Sequence, residues 1–181
     1  MRTAMFAVGV ALVTTVAASA AEARPRVARA QRFQSNKTFG LGLEIGDVNG
    51  LTGKYFLGDQ SDRAIDFGIG YLTTYLDNRN GLHLYADHLW HPASLVSAEP
   101  FELPFFIGLG LRLWDFDENG PDGQHAFALG VRVPIGVSFD FNDVPLDVFV
   151  ELTPVLDFAF NYRDNAFFGI DGSIGIRYWF N

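Results

Sequence analysis

With 181 residues, 49% of them apolar, the chain has room for one domain of ordinary size and is too apolar to be disordered. It contains no cysteine, which excludes a disulfide framework and any thiolate metal site. The formal charge of −8 is unevenly spread: Arg24, Arg26, Arg29, Arg32 and Lys37 precede a body that holds seven basic and twenty acidic residues from Thr38 onward, and such a body repels phosphate backbones and argues against nucleic acid as a partner.

Residues 1–20 read as a cleaved secretory signal peptide, with Arg2, an alanine-rich apolar run from Ala4, and small residues at Ala18 and Ala20. The run carries Thr14, Thr15 and Ser19 and barely reaches the ~20 residues that a spanning helix needs. The mature chain is expected to start near Ala21 or Arg24. Residues 21–37 read as a basic N-terminal linker, a solvated arm, and residues 38–181 as the folded unit.

From Thr38 the chain divides into eight segments of alternating apolarity, separated by clusters of Gly, Asn, Asp, Ser and Pro. TFGLGLEIG places Phe39, Leu41, Leu43 and Ile45 on one parity, and after the turn DVNG the segment LTGKYFL does the same with Leu51, Tyr55 and Leu57. AIDFGIGYL and LHLYADHLW follow, the latter with Leu82, Leu84, Ala86 and Trp90 on one side. HPASLVSAEPFEL, with Pro92 and Pro100, reads as a long connection into PFFIGLGLRLW. The sixth segment, FALGVRVPIGVSFDF, alternates without a break from Phe127 to Phe141, a pattern that no helix makes. LDVFVELTPVLDF and FFGIDGSIGIRYWF complete the set, so the expected fold is all-β, an eight-stranded antiparallel up-and-down transmembrane barrel.

The opposite parity decides which face meets lipid. It carries glycines together with Glu44, Lys54, Asp66, Asp87, Arg112, Arg132, Glu151, Asp171 and Arg177. Glycine packs nothing on a water-facing sheet, but inside a narrow barrel it gives long charged side chains the room to reach across and pair. The leucine, isoleucine, valine and phenylalanine parity then faces outward, free of mid-segment charges that would cost roughly 2 to 4 kcal/mol at a lipid midplane. Tyr55, Tyr71, Trp90, Tyr178 and Phe180 fall near segment ends and read as an aromatic girdle at the headgroup level. An open edge in lipid would leave backbone groups unpaired, so the last strand is expected to pair with the first. Gly46–Gly50, Thr73–Gly81, Asp115–Gln124 and Ala159–Ala166 are expected as outer loops.

GLGLEIGDVNGLTGKYFL, GLHLYADHLWH, PFFIGLGLRLW, DVPLDVFVELTPVLDF and GSIGIRYWF together resemble a family of small bacterial outer-membrane β-barrels, OmpA/OmpX-like in size. The resemblance covers the chain from about Phe39. It implies a bacterial outer-membrane location among lipids and lipopolysaccharide, delivery by the barrel assembly machinery, and no defined activity or catalytic residues. Members usually finish on an aromatic residue that this machinery reads; here Phe180 is penultimate and Asn181 follows.

Candidate chemistry is sparse. Asp115, Asp117 and Asn119 match the first half of a calcium loop, but position twelve would be Ala126 where a bidentate Glu is needed, which leaves a solvated acidic loop with at most weak divalent binding near lipopolysaccharide phosphates. His88 and His91, three apart on a strand, fall on opposite faces, and Ser138 lies thirteen residues from His125, some ~40 Å along a strand. Neither metal, cofactor nor enzyme is expected. The inner charges, Lys54, Arg112, Arg132 and Arg177 against Glu44, Asp66, Asp87, Asp147, Glu151, Asp157 and Asp171, leave two membrane readings. In the preferred one they plug the lumen of a non-enzymatic scaffold that presents surface loops to a partner the sequence does not name. In the other a narrow pore persists and prefers cations, with Asp147 and Asp157 solvated near strand ends. A soluble periplasmic ligand-binding barrel with its faces reversed is the third alternative.

Overall fold

Residues of strict period two with β-branched and aromatic side chains on one parity form strands rather than helices, and every regular element among the described residues is a strand. The computed structural model describes residues 32–74, 79–118, 125–160 and 166–180. Its strands are β1 (Phe39–Gly46), β2 (Val48–Phe56), β3 (Arg63–Thr74), β4 (Arg79–Ser97), β5 (Phe101–Glu118), β6 (His125–Arg132), β7 (Ile135–Phe141), β8 (Leu146–Phe160) and β9 (Ala166–Phe180). All pairings are antiparallel, and they close one ring-like sheet in which β1 pairs with β9 from Phe39↔Phe180 to Gly46↔Ser173.

There are nine strands among the described residues rather than the eight expected, because the sixth segment divides at Val133 and Pro134. β6 and β7 lie end to end between β5 and β8, and the register on both sides runs through the break: Arg132 faces Gly110 and Val155, and Ile135 faces Ile107 and Leu152. Proline has no N–H, so the two pairs at the break keep one bond each, Gly108 N–H to Pro134 O at 2.8 Å and Val133 N–H to Pro154 O at 2.9 Å. The alternation is unbroken; the ladder is not.

The ring is staggered. From Gly40 the paired residues run through Lys54, Asp66, Asp87, Gly110, Arg132 and Val155 to Gly169, whereas Gly40 itself faces Trp179, a displacement of ten residues on β9. With strands ~4.8 Å apart and rising ~3.3 Å per residue, that stagger tilts them by about 40° and gives a ring of roughly 8 Å radius, just wide enough for side chains to fill.

Three expectations about connections need correcting. His91–Leu103 is not a long connection: β4 continues to Ser97 and β5 begins at Phe101, with two register shifts that absorb Pro92 and leave the turn at residues 98–100. Gly46–Gly50 is no loop either, since only Asp47 separates β1 from β2. Its carboxylate accepts from the Gly172 N–H at 2.7 Å and so ties the corner to β9. Asp115 and Asp117 are ladder residues of β5, paired with Phe127 and His125. The signal-peptide reading, Asn119 and Asn181 lie outside the described residues.

Residues 33–37 depart most from expectation. They are no solvated arm: Phe33, Ser35 and Lys37 are buried and alternate with the exposed Gln34 and Asn36. Among the described residues no helix is long and apolar enough to cross a membrane, which bears only on helical spans.

Candidate functional site

The strand alternation sorts side chains into an outer wall and a filled interior. Along β8, Leu152, Leu156, Phe158 and Phe160 are exposed, while Glu151, Thr153, Val155, Asp157 and Ala159 are buried. Exposure of the outer apolar residues reaches 58% for Leu43 and 66% for Phe168. Among the described residues, His88 is the one charged or titratable side chain within this outer band between its aromatic ends. It is half-buried, with its ring 4.3 Å from that of Trp90, and His91 points inward. Over Gly53, which carries no side chain, the wall has an apolar groove of about 370 Å³ between Leu41, Leu51, Phe67, Ile69 and Leu84.

All five expected girdle residues are exposed, but they are unevenly divided. Tyr55, Trp90, Tyr178 and Phe180 circle the end that carries Phe39, and Tyr71 sits alone of the five at the opposite end. The second ring there is completed by Phe127 and Phe160, stacked at 6.3 Å, and by Phe168. From Tyr178 to Phe168 the wall spans about 25 Å along the ring axis, taking ~3.3 Å per residue and a ~40° tilt.

Inside, the structure brings the expected charges together. None of the four cations and seven carboxylates is more than 8% exposed. Three arginines each bind two acids from different strands. Arg112 pairs with Asp157, with Nε donating to Oδ1 at 2.8 Å, and with Asp171. Arg132 lies 3.0 Å from both Asp87 Oδ2 and Glu151 Oε1. Arg177 donates to Asp66 Oδ2 at 2.7 Å and lies 3.7 Å from Asp147 Oδ2. The guanidinium is the suitable group here, because its planar fork serves two carboxylates at once while its face stacks on a ring. Arg177 lies 3.8 Å from the Phe149 centroid and Arg132 lies 4.0 Å from that of Tyr85.

Glu44 and Lys54 stand apart from these triads. The Tyr85 hydroxyl donates to Glu44 Oε2 at 3.1 Å, and Oε1 is buried without a hydrogen-bond partner among the described residues. Lys54 donates to His91 Nε2 at 3.2 Å and lies 4.8 Å from the Phe106 centroid. Asp147 and Asp157 are buried within the triads, which corrects the expectation that they stay solvated near open ends.

The ends are closed by apolar layers that the sequence reading missed. Phe33, Phe56, Ala64, Leu89, Phe106, Phe149 and Trp179 pack at the terminus-side end, and Val48, Leu72, Trp114, Ala126, Ala128 and Ala159 at the other, with Phe167 against them. The available signal was doubling: at YF, LW, FF and YWF two adjacent residues are apolar, so both faces of the strand are apolar there. Lumen glycines sit opposite the bulkiest inward groups. A Cβ on Gly40 would meet the Trp179 ring at 3.0 Å, one on Gly68 the Tyr85 ring at 2.5 Å, and one on Gly175 would collide with Phe149.

The described residues contain no group of three or more His, Asp or Glu able to hold a metal ion. His83 is fully buried, and neither of its ring nitrogens is hydrogen-bonded to a described residue. Comparison with protein-family models, curated proteins and solved structures finds no match to this chain.

Proposed function

We propose that this protein is an integral barrel of the bacterial outer membrane whose filled lumen makes it a non-enzymatic scaffold, holding surface loops in a lipid and lipopolysaccharide environment. The observation that carries this reading is the reversal of polarity: the outer wall is a band of exposed leucine, isoleucine, valine and phenylalanine between two aromatic rings, and the charges are enclosed and paired. An exposed apolar surface of this extent needs hydrocarbon against it, which weighs against the soluble-carrier reading. The height of about 25 Å matches the apolar band of outer-membrane barrels. Within such a wall the assembly machinery would be the partner in biogenesis, as the family resemblance implies.

The plug is favoured over the pore because apolar layers close both ends of the charged belt. The formal acidic excess, seven carboxylates to four cations, favours the second reading, a narrow cation-preferring pore. Single-channel recording of refolded protein in planar bilayers separates them. The plug predicts a flat trace, and reproducible cation-selective steps would replace it with the pore. Recovery of the protein in the supernatant after ultracentrifugation of a detergent-free lysate would defeat both.

A further inference from the structure

One end of the ring is closed by a piece of chain that belongs to no strand. Phe33 inserts its ring 6.0 Å from that of Phe56 and 5.4 Å from that of His91. Two residues on, the Ser35 N–H donates to the Ser61 carbonyl at 3.1 Å. Two further on, the Lys37 ammonium pairs with Asp140, donates to the Phe141 carbonyl at 2.9 Å and lies 5.9 Å from the Trp179 centroid. The segment thus sits as an extended ligand does: the Phe33 ring and the Lys37 ammonium occupy separate seats, and between them the Ser35 backbone bonds Ser61 while its hydroxyl braces the segment itself by donating to the Lys37 carbonyl at 3.2 Å.

Behind the Phe33 ring lies a weak point of the lumen. Among the described residues, Lys54 is the one cation of the four without a carboxylate at ion-pairing distance; it is held by His91 and the Phe106 and Phe56 rings. His91 in turn donates from Nδ1 to the Asp62 carbonyl at 3.2 Å and forms the floor on which Phe33 rests. Strand residues of the end layer are fixed by ladders on two sides. Among the described residues, Phe33–Lys37 is tied to the ring by side-chain anchors and one backbone bond, Ser35 to Ser61, the kind of attachment that opens before a laddered strand does.

We propose that Phe33–Lys37 is a tethered stopper that leaves its seat reversibly, and that its departure opens the Lys54–His91 pair to water and small solutes. The proposal is independent of whether the wall faces lipid. The chain has two lysines, Lys37 and Lys54, and no cysteine, which makes it directly testable. The full chain, folded in detergent micelles, is treated with a small amine-reactive reagent, and the rate at each lysine is read by peptide mass spectrometry. A Ser35→Cys/Ser61→Cys variant locks the segment when oxidised. Lys54 is expected to react roughly tenfold more slowly in the locked form than in the reduced form, and roughly tenfold faster than wild type in Asp140→Asn and Phe33→Ala. Equal Lys54 rates in oxidised and reduced protein overturn the proposal. So does a wild-type rate in a Phe33→Ala chain whose tryptophan emission and unfolding midpoint show it folded, which keeps the test decisive if the disulfide fails to form.

Discussion

Removing the Arg132 guanidinium tests whether the interior is dry. It lies 3.0 Å from Asp87 Oδ2 and from Glu151 Oε1, and its face covers the Tyr85 ring. Arg132→Met keeps most of the side-chain volume but leaves two buried carboxylates without their cation, a loss of about 3–5 kcal/mol for breaking a desolvated pair. Converting the acids as well, in Arg132→Met/Asp87→Asn/Glu151→Gln, removes the stranded charge and should bring the loss back to about 1–2 kcal/mol, the scale of ordinary hydrogen bonds. Urea unfolding in lipid vesicles, followed by tryptophan emission, measures both. At about 2 kcal/mol per molar urea, the single variant should shift the midpoint down by about 2 M and the triple variant by less than about 1 M. If the single variant costs under about 1 kcal/mol, or the triple is no better than the single, the carboxylates are already solvated and the lumen is wet.

Three further outcomes follow from the same geometry. Leu111→Arg, on the outer wall opposite Ala86 and Val131, should cost about 2–4 kcal/mol in vesicles if hydrocarbon covers that wall, and under about 0.5 kcal/mol if water does; the same urea titration decides it. Gly42→Ala would push a Cβ into the Ile176 carbonyl oxygen and to 2.7 Å from Arg177 Cα, both backbone atoms that cannot swing aside, so a loss of about 1–3 kcal/mol at the β1–β9 seam is expected in the unfolding midpoint. Glu44→Gln should be neutral within about 0.5 kcal/mol or stabilising because no cation among the described residues lies at ion-pairing distance from that carboxylate, whereas Asp66→Asn strips Arg177 of its closest partner and should cost more than about 2 kcal/mol; equal effects would refute the pairing.

What could be read from the sequence follows from the range of the interactions involved. Alternation at Leu41, Leu43 and Ile45 against Gly40, Gly42 and Glu44 is local, so strand type, parity and the need for closure were legible. The division at Pro134 was not, because Val131, Val133 and Ile135 keep their parity across it and only the ladder loses bonds. His91–Ser97 read as loop through Pro92 and Pro100, and became strand because two register shifts let β4 follow β5 past the proline. The charged residues could be placed inside from parity alone, but the partition into three arginine triads depends on cross-ring distances such as Arg112 to Asp171, 59 positions apart in the chain. Gln34-Ser35-Asn36-Lys37 has the composition of a linker, and its seat is assembled from Phe56, His91 and Asp140, each far away in the chain.

The seam between β1 and β9 has a further consequence. It joins the first strand to the last, so every intermediate length of chain is a sheet with two free edges, and no ladder seals them until the final segment arrives. Contacts of such long separation form late and slowly, and the incomplete ring is prone to pair with a neighbour in the meantime. A polypeptide built this way can curl shut only once its last strand is present, and loss of that strand would undo the cylinder rather than shorten it.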